Sequence, residues 1–233
     1  RVSPIQKIGL MPLRRAAVPD EVASGGLHLT VVDLIRQHDI PALGNALRQA
    51  LHRQGLQQFV LETVSALNRA IGEAWMRGEI QVFEEHLYTE QMQALLRQAI
   101  GALPPGSGRP RILLTTVPEE QHILGILMSE ALLTLEGAGC VSLGTQTPLA
   151  DIGLAARAQQ ADIVALSFSS AFPTRQVAPL LKQLRGMLAA NIEVWAGGAG
   201  IERVAAQEGV RIMGSLDAAL EGLAQWRAAH PAH

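Results

Sequence analysis

The chain has 233 residues, a formal net charge of −2 and 48% hydrophobic residues. This length allows two modest domains, each with its own core, and the hydrophobic content excludes a disordered chain. Acidic and basic residues are well mixed, so no basic stripe indicates a nucleic-acid footprint. The single cysteine, Cys140, excludes a disulfide framework and suits a reducing, cytoplasmic location. No apolar run reaches the roughly 18 residues of a membrane span, and residues 1–20 lack a signal-peptide core.

The first part of the chain is predicted to be helical after an irregular start. Residues 1–28 contain three prolines and the Gly25-Gly26 pair, which indicates an arm or linker. Over residues 29–102, apolar residues recur mostly at three- and four-residue spacing. This pattern divides into four helical stretches, of which the last is Val82–Ile100. We therefore expect a small four-helix bundle over 29–102.

The hydrophobic period changes after a linker rich in proline and glycine at residues 103–110. Short apolar runs then alternate with longer helical segments. These runs are Arg111–Thr116, Cys140–Leu143, Ile163–Ser167, Ile192–Ala196 and Val210–Met213. The alternation predicts parallel strands joined by right-handed helical crossovers. We expect residues 111–228 to form an α/β domain with a flavodoxin-like, doubly wound sheet of five strands, whose ligand lies beyond the carboxyl ends of the strands.

Three segments rich in polar residues or glycine follow the first, third and fourth predicted strands. They are Glu120-x-His122-x-x-Gly125, Ser167-x-Ser169 and Gly197-Gly198. A carboxylate such as Glu120 on one imidazole nitrogen of His122 would fix the tautomer and make the other nitrogen a better metal ligand. Taken alone, a loop histidine is more often solvated, and a glycine pair without dinucleotide-fingerprint spacing is more often a tight turn. The prediction of a site therefore depends on the topology, which brings all three segments to one edge of the sheet.

The order and spacing of these segments resemble the cobalamin-binding signature of methionine synthases, corrinoid methyltransferases and related mutases. That signature reads Asp-x-His-x-x-Gly, then Ser-x-Leu, then Gly-Gly, so Glu120 and Ser169 are departures from it. Glu120 keeps the carboxylate that would orient the histidine. The resemblance implies that His122 replaces the cofactor's own dimethylbenzimidazole as the lower ligand of the cobalt.

The same resemblance implies a slot for the displaced nucleotide tail between the first and fourth strands. Ser167 would hydrogen-bond the displaced base, and Gly197 and Gly198 would make room for the tail. Ser169 replaces an apolar residue near this slot. Gly125, which costs about 1 kcal/mol relative to alanine at a helix start, makes sense if something bulky lies against the backbone there.

The bundle contains Trp75 followed by Glu85-His86, which resembles the Trp…Glu-His motif of CarH/LitR-type, MerR-like light-responsive transcriptional regulators. Their sensory half is also a four-helix bundle followed by a cobalamin domain. The resemblance implies adenosylcobalamin rather than methylcobalamin, with Trp75 capping the adenosyl group and Glu85 and His86 supporting the adenosyl and corrin contacts. Met76 stands where the best-known members have a histidine that binds cobalt after illumination. A thioether is a poorer ligand for oxidised cobalt, so we expect no histidine adduct from that position.

These observations predict a cobalamin-binding, light-responsive sensor that controls a transcriptional regulator and is not an enzyme. Family members usually carry a MerR-type helix-turn-helix domain at the amino end, and no recognition helix can be placed in residues 1–28. The chain begins at Arg1 rather than methionine, which indicates a fragment or a processed product. We therefore expect DNA contact only through a missing amino-terminal domain or a partner regulator, together with homo-oligomerisation or binding to another regulator.

Three alternatives remain open. The first is a stand-alone cobalamin-binding antirepressor of the AerR type, and the second is a corrinoid methyl-carrier protein, whose upper face must stay uncovered for its partners. The third is a zinc hydrolase using Glu120, His122 and His86, against which the absence of a helical zinc motif counts. The other histidines are predicted to be surface residues: His28, His38, His52, His230 and His233.

Overall fold

The structure is a computed structural model that describes residues 24–104, 106 and 108–231. Its first part contains helices α1 (Ser24–Arg36), α2 (Ile40–Gln54), α3 (Leu56–Gln58), a π-helical turn (Phe59–Val64), α4 (Ser65–Met76) and α5 (Val82–Gly101). Helix α3, the π-helical turn and α4 follow one another without a break. They form one long helix, so the described part of this region is a four-helix bundle, as predicted.

Local sequence signals explain where these helices begin and end. The side chain of Asp39 accepts a hydrogen bond from the Ala42 amide at 3.0 Å and caps α2, and Gly55, with a φ of 75°, ends it. Gln81 and Glu84 form a reciprocal capping box at the start of α5. These caps form hydrogen bonds with backbone groups at the helix ends that the helix cannot satisfy by itself.

Helix α1 begins at Ser24, so the last five residues of the segment predicted to be irregular are helical. The reason is burial, because Leu27 continues the buried stripe of Val31 and Ile35 by one helical turn. The remainder of the predicted arm, and with it the question of a recognition helix before residue 24, lies outside the described residues.

The second part alternates strands and helices, as predicted from the short apolar runs. The elements are β1 (Gly108–Thr115), α6 (Leu124–Leu135), β2 (Ala138–Ser142), α7 (Leu149–Ala158), β3 (Ile163–Ser167), α8 (Thr174–Met187), β4 (Glu193–Gly197), β5 (Val210–Met213) and α9 (Leu216–Ala229). The strands are parallel in the order β2-β1-β3-β4-β5, which confirms the flavodoxin-like prediction. Strand β1 starts three residues before the predicted Arg111. Its pairing with β2 shifts register between Gly108 and Arg111, the interval that contains Pro110.

The sheet has helices on both faces, and the bundle packs against one of these helices, α6. Helices α7 and α8 cover one face, and α6 and α9 cover the other. Four side chains of α6 belong to the hydrophobic core of the bundle: Leu127, Met128, Ala131 and Leu132. Ile123 and Leu124, next to the predicted ligand His122, also pack on this core. The bundle therefore adjoins the edge of the sheet where the predicted site lies. Within the described residues, no helix is both long and apolar enough to cross a membrane.

Candidate functional site

The imidazole of His122 is held by a buried carboxylate. Its Nδ1 lies 2.7 Å from Oε1 of Glu120, and the His122 backbone amide donates to the same oxygen at 3.0 Å. The Glu120 side chain is only 1% exposed, whereas that of His122 is 50% exposed. Among the residues that the structure describes, none hydrogen-bonds Nε2. The ring therefore presents Nε2 outward while Nδ1 is anchored, which is the arrangement of a metal-binding histidine.

The loop between β1 and α6 is shaped to hold Glu120 in this position. The hydroxyl of Thr116, at the end of β1, donates to the Glu120 carbonyl at 2.5 Å and accepts from the Gln146 amide at 2.8 Å. Glu119 adopts a left-handed backbone conformation with a φ of 69°. The residue that follows, Glu120, is buried, so this short loop contains a buried carboxylate.

Ser169, just after β3, completes the hydrogen bonding of this carboxylate. Its backbone amide donates to Oε2 of Glu120 at 2.7 Å, and its Oγ donates to the same oxygen at 2.9 Å. The Oγ also lies 2.9 Å from Nδ1 of His122. The sequence prediction placed Ser169 near a nucleotide-tail slot and missed this contact. One sequence signal could have indicated this contact: Ser169 is a hydroxyl residue just after the carboxyl end of β3, the strand that pairs with β1.

These contacts shift both pKa values. Burial disfavours the charged form of Glu120, but hydrogen bonds from His122 and Ser169 outweigh it and lower the pKa of the carboxyl group. The hydrogen bond to Glu120 raises the pKa of His122 against a smaller opposing effect of burial, and the negative charge of Glu85 in the first turn of α5 raises it further. With an ionised carboxylate on Nδ1, the nitrogen that exchanges a proton for a metal is Nε2.

The predicted small residues are explained in part by the protein's own packing. A Cβ atom on Gly125 would lie 2.2 Å from Oγ of Ser167, so the start of α6 touches the end of β3. Gly198 has a φ of 96°, and a Cβ atom there would lie 2.3 Å from the carbonyl oxygen of Phe168. At Gly197 the nearest atom to a Cβ would be at 3.5 Å, an ordinary contact. Gly198 is thus required by the backbone, whereas the contact at Gly125 is with a side-chain hydroxyl that can rotate. A nucleotide tail along any of these residues stays a prediction.

The three residues predicted on the bundle do not form one cluster. Glu85 accepts from the Thr89 hydroxyl at 2.7 Å and lies 3.7 Å from Nε2 of His86, whose side chain is 70% exposed. Trp75 is 50% exposed and Met76 is 73% exposed. The structure therefore does not enclose Trp75 in a cavity between bundle and sheet. The reason is helical geometry, because Trp75 is adjacent in sequence to the buried Ala74 and so lies about 100° around the helix from the buried stripe.

The prediction that the remaining histidines are surface residues is confirmed for His38, His52 and His230, which are exposed, whereas His28 is partly buried. Nε2 of His38 lies 3.0 Å from Oε1 of the buried Glu84, Nδ1 of His28 is buried without a partner among the described residues, and His230 stacks on Trp226 with 4.2 Å between the rings. Local sequence gives no sign of the contact between His38 and Glu84, which are 46 positions apart, whereas Trp226 and His230 are only four positions apart. His52 is exposed, and His233 lies outside the described residues. Across residues 24–104, 106 and 108–231, no group of three histidine, cysteine or acidic side chains could hold a metal ion.

Comparison with known proteins gives a family match for the helical part of the chain and two curated relatives. Residues 30–100 match the family described as B12 binding domain. The chain is 30% identical over 162 residues to the HTH-type transcriptional repressor CarH of Myxococcus xanthus, covering 70% of this chain and 54% of CarH. It is 33% identical over 107 residues to the repressor CarA of the same organism, covering 46% of this chain and 37% of CarA. The chain thus spans about half or less of the curated relatives it matches.

A solved structure shows the same architecture. The monomethylamine corrinoid protein of Methanosarcina barkeri superimposes with a TM-score of 0.66 and 17% sequence identity, covering 87% of this chain and 100% of that protein. At this identity the likeness concerns the fold alone.

Proposed function

We propose that this chain is the cobalamin-binding sensor part of a transcription regulator, because residues 30–100 match the B12 binding domain family and the chain is similar to the CarH and CarA transcriptional repressors. The cofactor would lie beyond the carboxyl ends of the strands, between the sheet and the start of α5. The observation that carries this proposal is the geometry of His122, whose Nδ1 is bound to the buried Glu120 and whose Nε2 points outward.

The donor set fits a cobalt ion with one imidazole lower ligand. When bound, cobalamin supplies the cobalt and, in its alkyl forms, a cobalt–carbon bond that light can break. The chain's own residues would do the rest: Nε2 of His122 binds the metal, Glu120 keeps the proton on Nδ1, and Ser169 keeps Glu120 in place. Gly197 would allow the nucleotide tail to pass close to the backbone.

The bundle would contact the upper side of the cofactor. Glu85 is already within electrostatic range of His122, and His86 is paired with it. If Trp75 covered the upper ligand of the cobalt, Trp75, Glu85 and His86 together would favour adenosylcobalamin over methylcobalamin. Since Trp75 is half exposed, the end of α4 would have to move toward the cofactor to cap an adenosyl group. Contact with DNA would come from another domain or a partner regulator in the cytoplasm, with assembly state as the output.

The uncovered Trp75 and Met76 favour a second candidate, a corrinoid methyl-carrier protein. A carrier must leave the upper side of its cofactor open so that partner enzymes can reach it. The two functions share the lower ligand and differ in how the bundle treats the upper group. A preference for adenosylcobalamin and a response to light support the sensor, whereas equal binding of both cofactors without a light response supports the carrier.

The lower ligand is tested by replacing it. Purified protein is loaded in the dark with adenosylcobalamin or methylcobalamin, and its absorption spectrum is recorded before and after green light. His122→Ala is expected to give the base-off spectrum of the bound cofactor or to weaken binding by at least about 10-fold, the lower end of the cost of losing a residue that only supports a metal ligand. His52→Ala, an exposed histidine on α2, serves as the matched control. An unchanged spectrum and affinity in His122→Ala would refute the assignment.

A further inference from the structure

The Glu120 carboxylate is held from two sides of the chain. Its Oε1 accepts from the backbone amide and Nδ1 of His122, and its Oε2 accepts from the backbone amide and hydroxyl of Ser169. Buried carboxylates are costly unless such charge-assisted hydrogen bonds compensate for lost water. Half of the compensation therefore comes from a residue that follows a different strand, 49 positions away in the chain.

We propose that Ser169 is a positioning residue that determines how well His122 binds cobalt, by holding both the carboxylate and the imidazole in place. This inference rests on the proposed function. The Oγ of Ser169 lies 2.9 Å from Oε2 of Glu120 and 2.9 Å from Nδ1 of His122. The hydroxyl donates its proton to the carboxylate, and its lone pairs face the Nδ1 proton as a second acceptor. That proton is then held between two oxygens, which fixes the ring plane and leaves the lone pair on Nε2.

The leucine expected at this position from the resembled signature could do neither of these things. It would leave Oε2 with the backbone amide alone and would put an apolar side chain beside a buried charge. Glutamate in place of aspartate fits the same arrangement, because its additional methylene group lets one carboxylate span His122 and Ser169. The two departures from the signature therefore meet in one hydrogen-bond network.

Ser169 also connects the lower ligand to the glycine turn after β4. The neighbouring Phe168 donates its backbone amide to the Gly197 carbonyl at 2.9 Å and accepts from the Gly200 amide at 2.9 Å. A Cβ atom on Gly200 would lie 2.4 Å from the carbonyl oxygen of Ser169 itself. A shift of this turn would therefore move Phe168 and Ser169, and through Ser169 it would move Glu120. The hydroxyl of Ser169 thus couples the position of His122 to that of the turn.

The test is spectroscopic. Protein labelled with ¹⁵N-histidine is loaded with cob(II)alamin, and the hyperfine splitting from the lower-ligand nitrogen in its electron paramagnetic resonance spectrum gives the histidine-ligated fraction. Dissociation constants for the same cofactor are measured by absorption titration. Ser169→Ala is expected to lower the ligated fraction and weaken binding by about 10-fold, the lower end of the range for such supporting residues. Ser169→Thr, which keeps the hydroxyl, should restore both quantities, and Ser169→Leu should behave like the alanine variant.

Ser170→Ala, at the exposed neighbouring position, is the matched control. The unfolding temperature of each cofactor-free variant is recorded; if Ser169→Ala does not fold, Ser169→Cys, close in size but a weak donor, takes its place with the same expectation. A normal ligated fraction and affinity in Ser169→Ala, with both lost in His122→Ala, would overturn the role of Ser169 alone. If His122→Ala also keeps the histidine signal and affinity, the proposed function fails as well.

Discussion

At the residue scale, the site is built around a single buried charge. Glu120 has four donors, and each is in place before any ligand binds. Such preorganisation matters because a ligand that is already oriented loses little conformational entropy when it binds a metal. It also explains why a half-exposed histidine in a loop keeps a defined tautomer, since the carboxylate beneath it admits only the form with a proton on Nδ1.

Gly198 is the residue for which the structure changes the expectation most. Its φ of 96° and the 2.3 Å approach of a Cβ atom to the Phe168 carbonyl oxygen make glycine necessary for the fold itself. A leucine there would disrupt the apo-protein and would not report on the cofactor. Gly197, where a Cβ atom has room, is the better position for testing whether a nucleotide tail runs past this turn.

We therefore expect Gly198→Ala to lower the free energy of unfolding of the cofactor-free protein by about 1–3 kcal/mol, the usual cost of a strained backbone conformation. Urea unfolding monitored by circular dichroism measures it. Gly214→Ala is the control, because a Cβ atom there meets nothing within 4 Å. If both variants are as stable as the parent protein, the strain argument at Gly198 is wrong.

At the scale of elements, the amino ends of β1 and β3 are joined by one acidic side chain. Asp162, which is 14% exposed, forms an ion pair with Arg109 and accepts from the Arg111 backbone amide at 2.7 Å. Burial opposes ionisation of this carboxyl group, but the hydrogen bonds from Arg109 and Arg111 outweigh it and lower its pKa. This contact also holds the irregular start of β1 in place, where the register shifts between Gly108 and Arg111.

The sign of the pH dependence follows from that lowered pKa. The unfolded chain binds the Asp162 proton more tightly than the folded protein, so the stabilisation is present above the unfolded value of 3.8 and is lost as the pH falls through the lower folded value. We expect Asp162→Asn to lower the free energy of unfolding by about 1.5–3 kcal/mol at neutral pH, the range for hydrogen bonds to charged groups. The difference from the parent protein should shrink below about pH 4. Urea unfolding at several pH values, with the exposed Asp33→Asn as control, measures it. A pH-independent difference would contradict the ion pair.

At the scale of the whole molecule, the bundle and the sheet share one hydrophobic core through α6. Residues such as Leu127 and Leu132 are buried among bundle side chains, so moving the whole bundle off the sheet would expose a large apolar area. The exposed apolar residues at the junction of α4 and α5 are different: Trp75, Met76, Val82 and Phe83. A switch that rearranges only this end of the bundle avoids the cost of opening the core.

The sensor proposal predicts that this end of the bundle controls assembly. Protein loaded with adenosylcobalamin should change its oligomer size on illumination with green light, measured by size-exclusion chromatography, because release of the adenosyl group removes the packing partner of Trp75. Trp75→Ala should abolish this difference and reduce the preference for adenosylcobalamin over methylcobalamin. A complete switch from 1:99 to 99:1 needs a differential binding energy of about 5.5 kcal/mol.

Leu29→Ala is the control for this experiment, since Leu29 is a 71% exposed apolar residue on α1 and not on α4 or α5. If neither light nor Trp75→Ala alters oligomer size or cofactor preference, the sensor proposal fails and the methyl-carrier alternative gains support.

The architecture, and the convergence of the candidate site residues at one edge of the sheet, could be derived from the sequence because both depend on local signals. Three- and four-residue periodicity determines the helices, and short apolar runs determine the five strands. The right-handed crossover rule restricts how the strands connect, and the order was expected from the likeness to a flavodoxin-like sheet. That order brings His122, Ser167 and Gly197 to one edge, because carboxyl ends of parallel strands meet there. The contact between Glu120 and His122 was also predictable, since the two residues are only two positions apart.

Only the tertiary structure decided what depends on close approach between distant segments. Ser169 reaches Glu120 across 49 positions, His38 reaches Glu84 across 46, and Gly198 lies against Phe168, and no local pattern encodes any of these contacts. Trp75 was predicted to cap an adenosyl group, and its place beside the buried stripe of α4 leaves half of it exposed. The physical reason is common to all of these contacts: periodicity determines which face of an element is buried, whereas the separation of side chains across elements is set by packing, to which every part of the chain contributes.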